Sequence, residues 1–177
     1  MIEIAHIGDP ILEQRAREVL PNDTAIVEKT VAGLRAVMEQ TGAMGFAAPQ
    51  IGVPWRIFIF SSQPHLNHEE APEIEPTVVI NPEILERENL KKTWEKCYSI
   101  PGDRGFVPRY SSIVVVYTTA DGAVVKWRPL EGFPAQLFQH ELDHLNGILY
   151  TGRVKREDKT ADIIKEEEYK RRFKSNP

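Results

Sequence analysis

The chain has 177 residues, 41% of them hydrophobic, enough for one domain whose core hides roughly 70% of the surface that the unfolded chain would expose. Its 22 basic and 26 acidic side chains leave a formal charge of −4, without the basic excess that neutralising a phosphate backbone requires, which excludes DNA and general nucleic-acid binding as its main work. One cysteine allows no intramolecular disulfide, the amino terminus is charged at Glu3 and from Asp9 onward, and the longest apolar run, "IVVVY", falls far short of the roughly 20 residues that span a bilayer, so the expectation is a cytoplasmic protein with no membrane segment.

Asn22 and Asp23 are candidate N-caps for a first helix that carries Val27, Val31, Leu34 and Met38 at helical spacing and ends at Gly42. Three β-rich runs follow: "WRIFIFS" from Trp55, "TVVINPEIL" from Thr77, and "SIVVVYTT" joined to "AVVKWRPL" as a hairpin across Ala120, Asp121 and Gly122. The proline-rich acidic stretch "SQPHLNHEEAPEIEP" reads as a surface loop, and its His65 and His68 lack the rigid frame that a metal site needs. Pro134 in a first turn and Gly147 as a C-terminal cap enclose a second helix, "AQLFQHELDHLN". The charge-dense tail, with only Ile163, Ile164, Tyr169 and Phe173 as apolar residues in its later part, predicts an exposed C-terminal helix over residues 160–177. No linker or repeat divides residues 1–177, so a single domain is expected.

His140, Glu141 and His144 form H-E-x-x-H. On a helix, residues four apart share one face about 5–6 Å apart, so both imidazoles can reach one cation while Glu141 sits beside it. Phe133 and Leu137 fall on the same face and can line a pocket next to the ligands, or serve as ordinary core. Hydrolytic sites use three protein ligands as a rule. Tyr150 stands where a metzincin would place a third histidine, and a neutral phenol is a poor substitute. Glu166, Glu167 and Glu168 are one alternative source, although such a run also reads as a solvated face; Cys97 is the other, and a thiolate is the stronger ligand for zinc or ferrous iron.

With Cys97 and H-E-x-x-H both considered, the sequence resembles the peptide deformylases. The family's G-x-G-x-A-A-x-Q appears as "AMGFAAPQ", its E-G-C-L-S as "EKCYS" and its Q-H-E-x-D-H as "QHELDH", in the right order, with "HIGDPILEQRA" before them and "GDRGFVPR" after the cysteine. The resemblance implies an α+β fold with antiparallel or mixed sheets packed around a central metal-binding helix, flanked by an N-terminal and a C-terminal helix. It implies that Cys97, His140 and His144 bind one divalent ion, Fe(2+) foremost with zinc, nickel or cobalt as replacements, and that Glu141 moves the proton. Gln50 and the Tyr98 backbone N–H would stabilise the tetrahedral oxygen. The substrates would be N-formylated nascent peptides, with ribosome contact through the C-terminal helix and Lys170, Arg171, Arg172 and Lys174 facing RNA.

Met44, Gly45, Glu95, Arg104, Phe133 and Leu137 are the implied substrate-side residues. Glu95 would hold the first-motif loop against the metal loop, Arg104 would lie near the substrate channel, and Asp143 is a candidate acceptor for a ligating histidine. Ala43 and Lys96 replace family glycines and Tyr98 replaces a leucine, which alters the cleft walls and leaves the reacting groups complete. An H-E-x-x-H endopeptidase and a non-catalytic peptide- or ribosome-binding protein are the competing readings.

Overall fold

The computed structural model describes residues 2–65, 68–154 and 162–173. The chain builds α1 (Thr24–Thr41), β1 (Gly45–Ala47), β2 (Ile57–Ser62), β3 (Ile74–Cys97), β4 (Ile100–Thr118), β5 (Val124–Glu131), α2 (Gly132–Leu145), β6 (Ile163–Lys165) and α3 (Glu166–Phe173). Among the described residues, six strands form one antiparallel sheet in the order β1-β2-β3-β4-β5, with β6 added to β4. This is the expected α+β class.

β2 explains the centre of the fold. Ile57 and Ile59 turn one way and pack with Val27, Leu34 and Val37 of α1, while Phe58 and Phe60 turn the other way, toward Phe138, Leu142 and Leu145 of α2. A strand covered on both faces needs apolar residues at both parities, which is why "IFIF" lacks alternation. Phe58, Phe60 and Phe138 meet edge to face, with centroids 5.0–6.1 Å apart, an arrangement worth about 0.5–1.5 kcal/mol per pair beyond burial.

The punctuation holds at both helices. Gly42 ends α1 at φ +69°, its N–H returning to the Met38 carbonyl, and Gly147 adopts φ +71° just beyond α2. Asp23 precedes α1 but its carboxylate accepts from the Leu20 N–H, so it caps no helical amide. Buried Arg56 reaches across from the start of β2 and donates to the Leu145 carbonyl (3.1 Å) and the Asn146 side chain (3.0 Å), satisfying the C-terminal end of α2.

Two stretches depart from the sequence expectation. Residues 86–111, read as neither helix nor strand, continue the long β3–β4 hairpin, paired through Glu88↔Ser112, Lys91↔Arg109 and Trp94↔Phe106. The tail is not a uniform exposed helix: Ile163–Lys165 pair with Asp103–Gly105 on β4, α3 occupies only Glu166–Phe173, and Tyr169 is buried. Lys174 and the rest of the expected helix at 160, 161 and 174–177 lie outside the described residues. No helix among the described residues is long and apolar enough to cross a membrane.

Candidate metal centre

α2 carries His140 and His144 one turn apart, with ring centroids 4.9 Å from each other. Gln139 fixes the helix against β4: its Nε2 donates to the Tyr110 carbonyl (2.7 Å) and its Oε1 accepts the Tyr110 N–H (3.0 Å). Cys97 arrives from the end of β3, where a register shift between Glu95 and Cys97 precedes the Tyr98-Ser99 turn into β4. Its Sγ is 3.3 Å from His144 Nε2. One donor atom from each of Cys97, His140 and His144 lies within 4.8 Å of the others, and all three residues are buried.

The surroundings prepare these donors. His140 Nδ1 is bonded to Glu95 Oε2 at 2.9 Å, which leaves Nε2 as the free donor. Burial pulls the His140 pKa down, but hydrogen bonds to Cys97 and Glu95 and the Glu95 charge raise it above the ordinary value. Burial, then the neighbouring His140, pushes His144 well below it and keeps that imidazole neutral, the form that binds metal. Glu141 lies on the same turn, its carboxyl raised to about 7 by burial foremost, with Oε2 buried and making no hydrogen bond among the described residues. A Cβ at Gly45 would stand 2.6 Å from Glu141 Oε1, so the absent side chain at that position is what admits the carboxylate. A soft thiolate, two imidazoles and an unpartnered buried carboxylate suit a divalent transition metal.

Gln50 is buried in the short turn Ala48–Ile51. Its Oε1 accepts the Ala47 N–H at 2.8 Å and its Nε2 donates to Cys97 Sγ (3.4 Å) and Ser99 Oγ (3.2 Å), which aims the amide at the metal loop. A cleft of about 480 Å³ opens over these groups. Met44, Gly45, Glu95, Arg104, Phe133 and Leu137 all line it, as do Gln50, Cys97, His140 and Glu141. The three departures from the family motif sit together on one wall: Ala43, Lys96 and Tyr98 line the cleft, and the Lys96 ammonium lies 5.7 Å from the centre of the Tyr98 ring. The Tyr98 hydroxyl donates to the Thr41 carbonyl at 2.8 Å, tying the metal loop to the end of α1, a bond leucine could not make.

Several expectations are corrected. Glu95 does not brace the first-motif loop; both of its oxygens accept from Arg109 (2.7 and 3.0 Å), and one also meets His140. Asp143 accepts no bond from a ligating histidine but pairs with Arg109 (2.5 Å) and Arg153 (2.9 Å). Glu166, the alternative third ligand, is held by Arg104 and is absent from the metal-ligand group. Arg104 lines the cleft as expected, buried and with its charge engaged by Glu166. His65 and His68 stack near Phe133, with centroids 4.8 and 4.6 Å away, as the rim of the cleft, and belong to no three-donor group among the described residues.

Sequence reasoning missed Arg109 and Ser99. Arg109 is buried and joins Glu95 to Asp143, holding Glu95 down to about 2: burial alone would raise that carboxyl, and the Arg109 charge, then the His140 bond, outweigh it. A charged residue inside an apolar stretch such as "GFVPRYSS" was the available signal.

A sulfur and two imidazoles borne on strand end and helix, with a buried carboxylate beside them, define a mononuclear metal-dependent hydrolase. Residues 1–160 match the model of the family described as polypeptide deformylase, and the chain belongs to that family. It is 38% identical over 170 residues to peptide deformylase 2 of Nostoc sp., covering 96% of this chain and 93% of that protein, and 40% identical over 152 residues to peptide deformylase 1 of Nitrosomonas europaea, covering 85% and 86%. The Met-Ala-Ser-bound class I type b peptide deformylase of Acinetobacter baumannii superimposes with a TM-score of 0.81 at 36% identity, covering 87% of this chain and 98% of that one. The Thermotoga maritima peptide deformylase does so with a TM-score of 0.76 at 35% identity, covering 88% and 98%.

Proposed function

We propose that this protein removes the formyl group from the amino terminus of formyl-methionyl nascent peptides in the cytoplasm, releasing formate, with ferrous iron as its native ion. The observation that carries the reading is the buried convergence of Cys97, His140 and His144 with the unpartnered Glu141 carboxylate at the floor of the cleft. A divalent ion held by those three side chains would supply Lewis acidity, acidifying a water and polarising the formyl carbonyl. Glu141, held near neutrality, takes the proton of the attacking water and returns it to the leaving amine; a base with a pKa close to working pH does both steps well. Gln50 Nε2 and the Tyr98 N–H donate to the carbonyl oxygen as it gains charge. Gln50 is fixed for this by its bonds to the Ala47 N–H and Ser99, so little reorganisation accompanies the reaction. Leu137 and Phe133 supply the apolar wall on which a methionine side chain would rest, a burial worth about 1.5–3 kcal/mol.

Two variants separate ligand from base. Cys97→Ala should lose bound metal by elemental analysis together with formate release, whereas Glu141→Gln should keep metal and lose turnover. Full metal occupancy in Cys97→Ala would refute the ligand assignment. Ribosome contact through α3 is proposed as the route to nascent chains. On this helix Arg172 pairs with Glu168 and Lys170 lies 3.8 Å from Glu166, so the contact would compete with internal ion pairs.

A further inference from the structure

The cleft is not closed by the metal loop and α2 alone. Glu166 and Tyr169 of α3 also line it, together with Trp94 and Arg104 of the long hairpin. This part of the tail is anchored on both sides. β6 pairs with Asp103–Gly105, Lys165 meets Asp103 at 2.7 Å, and Lys92 meets Asp162 at 2.5 Å. Arg104 gives its Nη2 to Glu166 Oε1 (3.2 Å) and its Nε to Oε2, and its guanidinium lies 4.1 Å from the centre of the Tyr169 ring. Trp94 completes an aromatic cluster, 5.4 Å from Tyr169 and 5.6 Å from Phe173. The ion pair satisfies the charges, so what the helix presents to the cleft beside Trp94 is an aromatic edge.

The position of this edge sets what it can touch. Trp94 precedes Cys97 by three residues on β3, about 10 Å along an extended strand, which is the reach of roughly three residues of an extended peptide. We infer that α3 is a wall of the substrate cleft, and that Tyr169 with Trp94 selects an apolar side chain two residues beyond the formylated methionine. The inference rests on the deformylase reading. A small polar side chain such as serine would gain little from the rings, whereas leucine would bury part of its surface.

The test compares formyl-Met-Ala-Leu with formyl-Met-Ala-Ser in the metal-loaded protein. The ratio of kcat/KM should favour leucine by about tenfold, partial burial of one such side chain. In Tyr169→Ala the ratio should fall toward one, and in Tyr169→Phe it should persist. Because both peptides meet the same preparation, the ratio is blind to how much of a variant is folded. A wild-type ratio of one, or a ratio unmoved by Tyr169→Ala, overturns the inference. Affinities of carboxy-terminally labelled versions for metal-loaded Glu141→Gln, read by fluorescence anisotropy, give the same comparison without turnover. Equal affinities overturn the wall, while a leucine preference with no formate released by the wild type leaves the wall standing and overturns the deformylase reading.

Discussion

Replacing Arg109 with leucine would withdraw, among the described residues, the one arginine bonded to Glu95 and one of the two bonded to Asp143, leaving Glu95 with His140 and Asp143 with Arg153. Both carboxylates are buried, and breaking a buried pair by removing one partner costs about 3–5 kcal/mol. The Glu95 titration gives a second route to the size. Its carboxyl moves from 4.5 to about 2, and at 1.36 kcal/mol per pKa unit the stabilisation is about 3 kcal/mol. Since the folded pKa is depressed, this contribution is fully present above about pH 4.5 and is lost as pH falls toward 2. Thermal unfolding of metal-free protein, followed by circular dichroism, should therefore show Arg109→Leu melting about 6–12 °C lower near neutral pH, with the gap narrowing below about pH 4.5. Metal affinity should also drop by about 10–100-fold, because Glu95 would no longer be held where it orients His140. A loss below about 1 kcal/mol, or one that is as large in acid as at neutrality, would refute the reasoning.

Gly45→Ala would place a Cβ 2.6 Å from Glu141 Oε1 and 3.0 Å from Leu137 Cδ1, so the carboxylate must move; formate release should fall about 100-fold while elemental analysis finds the metal retained. Glu141→Gln should stabilise the metal-free protein in urea denaturation by about 3 kcal/mol above about pH 7, since a carboxyl raised from 4.5 to about 7 opposes folding once it must ionise. That gain should vanish as pH falls through the interval from 7 to 4.5, and a gain independent of pH would contradict the buried placement of Glu141.

The helix that carries the histidines was legible because its signals are local: Pro134 and Gly147 bracket it, and the H-E-x-x-H spacing places both rings on one face. β2 and the β4–β5 hairpin were legible for the same reason, through a continuous apolar run and a Gly122 turn at φ +84°. The outer half of the β3–β4 hairpin was not. Residues 86–92 are exposed and largely charged, so hydrophobic alternation is missing where strand pairing alone holds the backbone. Ile163 and Ile164 read as sparse contacts on a helix, and only the unfilled side of β4 at Asp103–Gly105 makes them a strand. Within the site, the motif positions were readable from spacing, whereas the Arg109–Glu95–His140 chain joins residues 14 and 45 positions apart and depends on the register of the hairpin over α2.

The central claim is tested most directly by protein loaded anaerobically with ferrous iron and given a short formyl-methionyl peptide. Formate and the peptide with a free amino terminus should appear together in equal amounts, and the internal bonds of that peptide and of an unfolded protein should stay intact by mass spectrometry. Cleavage of internal bonds without formate would contradict the account and restore the endopeptidase reading. Metal bound with no turnover of any kind would contradict it as well and point to a binding protein.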